Sequence, residues 1–216
     1  MKLLELLANL FVRLFAPKHH DLAGRILAAM YRRSYHVSTG RGEINIVYVR
    51  GMDLNGRLNN DRSNEYNDLR ILIRDGALLA SWVATVDPGA WYVKHRINPT
   101  GAARIKAGQY KAWQMGWHRG HHEALVQTGG PVTVMRDDNE DGRGTGDRED
   151  RGYFGINQHA GAGTGGYVNK DSAGCLVVPH MADQEHFVEL LKTDPRYMRD
   201  HKYTWYTTIL EGKDIG

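Results

Sequence analysis

The chain holds one cysteine, Cys175, set in the run Ser172-Ala173-Gly174-Cys175-Leu176. A thiol attacks as its thiolate, and an unassisted cysteine, with a pKa of about 8.5, is mostly protonated at neutral pH, so a nucleophilic Cys175 requires a neighbouring base. Eleven histidines are available. His159 is the best placed, because it ends the run Tyr153-Phe154-Gly155-Ile156-Asn157-Gln158 and a glycine-rich loop then leads back to Ser172. Such a loop can fold two strand ends together. Gly174 permits close backbone approach, and the amides of Gly174 and Cys175 are candidates to donate to a developing oxyanion. The competing reading of a lone cysteine is a small buried hydrophobe, since free Cys is among the most buried residue types.

Two other groups of residues carry chemistry. Asp137, Asn139 and Asp141 place oxygen donors at alternate positions ahead of Gly142, as in the first half of a Ca²⁺ loop. Position 12 counted from Asp137 is Arg148 instead of a bidentate Glu, so a site there needs Asp147 or Asp150 to complete it. The alternative is a solvated acidic loop. His118, His121, His122 and Glu123 are Zn²⁺ donor types at a spacing that matches no familiar helix motif. Adjacent residues on a strand point to opposite faces, so His118 or His122 lining a subsite is the better reading. Tyr110, Trp113 and Trp117 form either a wall for glycan or peptide or part of the scaffold.

These groups need a framework, and 216 residues have room for one sizeable core. A content of 41% hydrophobic and 25% charged residues is that of a folded chain. The formal charge of +3 is small and dispersed. It gives no nucleic-acid footprint, while suiting anionic surroundings such as a bacterial envelope. A single cysteine excludes an intramolecular disulfide and a multi-cysteine zinc site.

Over residues 3–15, Glu5, Asn9 and Arg13 line up opposite Leu3, Leu7, Leu10 and Leu14, which predicts an amphipathic helix. Charges inside it argue against a secretory segment, and 13 residues are too few to span a bilayer. That helix packs on the domain, or residues 1–16 contact a membrane surface or drive self-association. Asp21 caps a second helix over 22–33. From Glu43 the pattern turns to alternation. It predicts a strand over 44–49, a hairpin of 69–73 with 78–86 around Asp75-Gly76, strands over 123–127, 132–136, 152–157, 174–178 and 204–210, and a helix over 180–191. The expectation is a mainly β, β-rich α+β fold, with a helical segment over 1–40 ahead of a catalytic domain over 41–216.

The string Phe154-Gly155-Ile156-Asn157-Gln158-His159, the glycine-rich loop and Ser172-Ala173-Gly174-Cys175-Leu176 resemble the catalytic signature of L,D-transpeptidases, a His followed at moderate distance by Ser/Thr-x-Gly-Cys and an apolar residue. The resemblance covers residues 153–178. It implies a β-sandwich or barrel with a cradle-shaped cleft, Cys175 as nucleophile, His159 as base, a backbone carbonyl near Gly174 orienting the imidazole, and Ser172 on the motif's hydroxyl position. Gln158, Ala173, His122 and Tyr110 are expected to line the substrate. No cofactor is expected apart from Ca²⁺ at the acidic loop.

Three departures stand out. Ala160 intervenes before Gly161 where the family carries Gly directly after His, only 12 residues separate His159 from Ser172, and Val177 stands where members carry Arg or Asn. The wider pattern, including Asn64-Glu65-Tyr66-Asn67-Asp68-Leu69-Arg70, looks like a divergent branch found among bacterial and phage cell-wall proteins. The implied reaction is acyl transfer on the peptide stem of peptidoglycan, resolved by water (carboxypeptidase or endopeptidase) or by an amine (transpeptidase). With no recognisable export signal, the expected setting is a hydrolytic lysin or delivered effector, released from the cytoplasm and acting at the periplasm or cell wall. The rival expectation is a catalytically inactive wall-binding or membrane-associated protein of the same fold.

Overall fold

The computed structural model describes residues 22–144, 146–163 and 165–215. The helix expected over 3–15 and the cap at Asp21 lie outside the described residues. Helix α1 (Leu22–Arg32) follows as expected. Strand β1 (Ile44–Arg50) is buried along its whole length. Ile44, Ile46 and Tyr48 enter one apolar cluster and Val47 and Val49 another, as the two-residue period of a strand requires. Helix α1 covers the second face, packing Ile26 and Met30 with Val47, Val49, Leu69 and Ile71. Strands β2 (Asp68–Arg74) and β3 (Ala77–Ala84) form the expected hairpin. Its turn residues Asp75 (φ 52°) and Gly76 (φ 79°) are both left-handed, which matches the twist of the flanking strands.

The chain continues through α2 (Ala90–Lys94), β4 (Ala102–Ile105), β5 (Gly108–His118), β6 (His122–Gln127), β7 (Val132–Asp137), β8 (Arg148–Gly152), β9 (Gln158–Ala160) and β10 (Leu176–Val178). Helices α3 (Met181–Lys192) and α4 (Pro195–Arg199), strand β11 (Trp205–Glu211) and a 3₁₀ turn (Gly212–Asp214) complete it. Eight strands form one sheet in the order β10-β9-β6-β5-β11-β1-β2-β3, and β4-β7-β8 form a second. Only the β1/β11 and β9/β10 pairs are parallel. Thr85, just after β3, exchanges two backbone hydrogen bonds with Val177 of β10, at 2.8 and 2.9 Å, so the large sheet nearly closes on itself. The fold is mainly β, as the residue pattern implies.

Several expected elements change. The strand predicted over 152–157 is not one strand: β8 ends at Gly152, and residues 153–157 are irregular. Their ladder partner is a side chain. Gln127 accepts from the amides of Phe154 and Ile156 with Oε1, at 3.0 Å each, and donates Nε2–H to the carbonyls of Gly152 and Gly130. The strand predicted over 174–178 shortens to β10 because residues 172–175 form a turn. Strands β4 and β5 were not anticipated. Trp113 is core, donating Nε1–H to Ile156 O at 2.6 Å. Tyr110, expected to line the substrate, is also core: its ring is buried and its hydroxyl donates to Lys106 O at 2.8 Å.

Candidate active site

Parallel pairing of β9 with β10 sets the two sequence-predicted residues on the wall of one cavity. The register sets Val177 beside His159 and Leu176 beside Gln158, and Cys175 is the residue that leads into β10. Strand β9 is fixed from behind. Gln184 of α3 donates Nε2–H to Gln158 O and Glu123 O, both at 3.2 Å, while its Oε1 accepts from Arg70 at 2.8 Å. The Arg70 guanidinium is itself held between the rings of Phe187 and Trp82, at 3.9 and 4.8 Å. Gln158 does not face the cleft. Its side chain is 0% exposed and spans the interior, accepting from Tyr48 Oη–H at 3.3 Å and donating to Thr207 Oγ1 at 2.8 Å. Alternation then turns the neighbouring His159 outward.

Residues 172–175 form a tight turn. Ser172 Oγ–H donates to Cys175 O at 2.8 Å and accepts the Gly174 N–H at 3.0 Å. Ser172 is buried, so its hydroxyl shapes the turn and does not reach a substrate. Gly174 is obligatory here: its φ is +124°, and a Cβ would sit 2.5 Å from Ala103 O. Because the Gly174 amide is spent on Ser172, the two-amide oxyanion donor expected from sequence reduces to the Cys175 N–H among the described residues.

The Cys175 thiol is half-buried, donates to Gly155 O at 3.5 Å and accepts the Asn157 N–H at 3.4 Å. Burial pushes its pKa up, and the Asn157 amide opposes this. His159 Nδ1 lies 2.7 Å from Ala160 O. A carbonyl only accepts, so Nδ1 carries the hydrogen and Nε2 keeps the lone pair. The orienting carbonyl is therefore that of Ala160, the inserted residue, and not one near Gly174. Burial first, then His118, holds His159 down to about pKa 3. The pair at rest is a neutral thiol beside a neutral imidazole.

A residue not singled out from sequence joins these parts. Asn157 accepts the Gln127 N–H with Oδ1 at 3.0 Å, which aims Nδ2 at His118 Nδ1, 3.1 Å away. The His118 ring stacks on His159 at 3.7 Å and 14°. Burial, then Arg119 and His122, lowers His118 to about pKa 4. His118 thus borders the site, as expected. His122 is 6.2 Å from His159 between ring centroids and meets the Ala160 N–H at 3.4 Å, so it supports β9 from the side.

His118, Arg119, His159, Lys170, Ala173 and Cys175 line one cavity of about 160 Å³. Ala173, expected at the substrate, and Tyr92 also border a larger neighbour of about 320 Å³, walled by Ile97, Ala103, Phe154 and Ile156 with Arg136. The zinc alternative gains no support: among the described residues no three His, Cys, Asp or Glu side chains form a ready metal-binding group. Among those residues no helix is long and apolar enough to cross a membrane. No family model, curated protein or solved structure matches the chain.

Proposed function

We propose that this protein is a cysteine-nucleophile acyl-transfer enzyme acting on the peptide stems of bacterial peptidoglycan, in the manner of the L,D-transpeptidases that residues 153–178 resemble. The observation that carries the reading is one cavity into which both Cys175 and His159 open, with Nε2 of His159 left as the free base and with Arg119 and Lys170 on the wall. Two cationic side chains beside a nucleophile suit a substrate rich in carboxylates, which stem peptides are.

The reaction follows from neutral partners. As Cys175 Sγ attacks the carbonyl carbon of the third, diamino-acid residue, its proton passes to His159 Nε2. The carbonyl oxygen takes up the negative charge and the Cys175 N–H donates to it. Collapse breaks the amide bond, and the leaving amine, D-alanine or a cross-linked stem, takes the proton from the imidazolium. A thioester remains. Water or an acceptor amine then attacks it, giving its proton to His159, and the thiol is regenerated. The apolar neighbour cavity beyond Ala173 gives room for a second chain.

The test is incubation of the wild type and Cys175→Ala with purified peptidoglycan and with soluble tetrapeptide stems, with products read by mass spectrometry. Loss of D-alanine or of cross-links with the wild type alone is the expected result. No product from either protein, with both retained on the wall material, would replace this reading with that of a catalytically silent wall-binding protein.

A further inference from the structure

The acidic loop between β7 and β8 contains a charge problem that the protein alone does not solve. Arg136 of β7 and Arg148 of β8 are the last registered pair of this ladder, so Asp137, which ends β7, and Asp147, which directly precedes β8, flank the point where the loop begins. Both are buried. Asp147 is only 8% exposed, and neither of its carboxylate oxygens has a hydrogen-bond partner.

The other acids nearby divide into spent and unspent groups. Glu140 pairs with Lys94 and Arg96, and Asp150 with Arg136. Among the described residues Asp137, Asp138, Asp141 and Asp147 form no ion pair. The field of Arg104 reaches Asp147, yet the guanidinium gives its hydrogen bonds to Asp87 and Asp61. The charges of Asp137, Asp141 and Asp138 all bear on Asp147. A buried carboxylate with no partner, in the field of three other acids, is strongly unfavourable unless a cation compensates it.

We propose that the β7–β8 loop binds a divalent cation of the calcium class, with the carboxylates of Asp137, Asp141 and Asp147 and the amide oxygen of Asn139 as ligands. The donors are all oxygen, which selects a hard cation over zinc or copper, and an irregular loop suits the loose geometry of Ca²⁺ better than the strict octahedron of Mg²⁺. Asp137 now accepts the amides of Asp141 and Gly142, at 3.1 and 2.9 Å, and Asn139 Oδ1 accepts the Asp141 amide at 3.0 Å. These carboxylates are not gathered into a ready metal-binding group, so binding has to draw them inward, and each oxygen that accepts an amide retains a lone pair for the ion. The loop joins two strands and Arg148 begins β8; of the two residues expected to complete the set, Asp150 pairs with Arg136, and Asp147 takes the place of the missing Glu.

The experiment uses the full chain, treated with chelator and desalted, in titration calorimetry and scanning calorimetry against CaCl₂, with NaCl of matched ionic strength as control. One saturable heat and a rise in Tm of roughly 5–10 °C at a hundredfold excess over Kd are expected, absent from the NaCl control. Asp147→Asn is expected to abolish both responses, with a metal-free Tm equal to or above that of the wild type because the repulsion is gone. Should that variant not fold, Asp141→Asn is expected to weaken binding at least tenfold. No saturable heat up to millimolar Ca²⁺, a Tm response reproduced by NaCl, or undiminished binding by the variants would each overturn the proposal. None of these readouts depends on turnover.

Discussion

The hydrogen that His159 gives to Ala160 decides how the thiol can be used. With Nδ1 occupied and the imidazole held near pKa 3, no imidazolium stands beside Cys175 to stabilise a resting thiolate. Alkylation by iodoacetamide is therefore expected to be slower at pH 7 than for an unhindered cysteine. Its rate should climb with pH through a pKa above the ordinary thiol range, since burial raises Cys175. A rate plateau already reached at pH 6 would show an ion pair instead. That Cys175 and His159 would border one cavity was readable because the run to His159 and the run to Cys175 are joined by a single glycine-rich loop. Gln158 was misread for a reason also present in the sequence: next to His159 on a strand, it had to point the other way. Asn157 could not have been found, because its role comes from Gln127, His118 and Cys175, each contributed by a different part of the chain.

At the scale of elements, the irregular segment 153–157 supplies both contacts of the sulfur, the Gly155 carbonyl and the Asn157 amide. Its own shape depends on Gln127. Gln127→Ala removes four hydrogen bonds and leaves buried amides without partners, for an expected loss of roughly 2–5 kcal/mol in urea denaturation. Any turnover should fall with it, and Gln127→Glu, which keeps the acceptors but loses the donors, should recover only part of the stability. The strand pattern of 152–157 pointed to one strand, whereas β8 ends at Gly152 and Gly155 is left-handed, with φ 71°. What alternation could not reveal is that a side chain, not a neighbouring strand, supplies the partners. The hairpin at Asp75-Gly76 was legible for the opposite reason: its turn chemistry is local, and two residues suffice to specify it. Strand β5 lacked such a signal, with Gly116 and several polar residues interrupting its apolar alternation.

For the whole molecule, the seam between Thr85 and Val177 brings the two edges of the large sheet together. Val177 is fully buried there, beside His159 in the β9/β10 register. Val177→Arg is expected to cost about 3–5 kcal/mol by burying an unpaired charge, measured by urea denaturation, and to expose Cys175 to bulky thiol reagents. Helices α1 and α3 were outlined by their spacing, whereas the short α2 and α4 were not, and the near-closure depends on pairings between residues about ninety positions apart, which no local pattern encodes. The seam also has a temporal meaning. The strand that leads from Cys175 is an edge that meets the opposite edge of the sheet, and β9 and β10 pair over just three residues, so this part of the sheet depends on the rest being in place. A chain still emerging, or one passing unfolded through a narrow opening, would have a thiol and an imidazole but no couple. Reactivity would be the last property the molecule acquires and the first it surrenders.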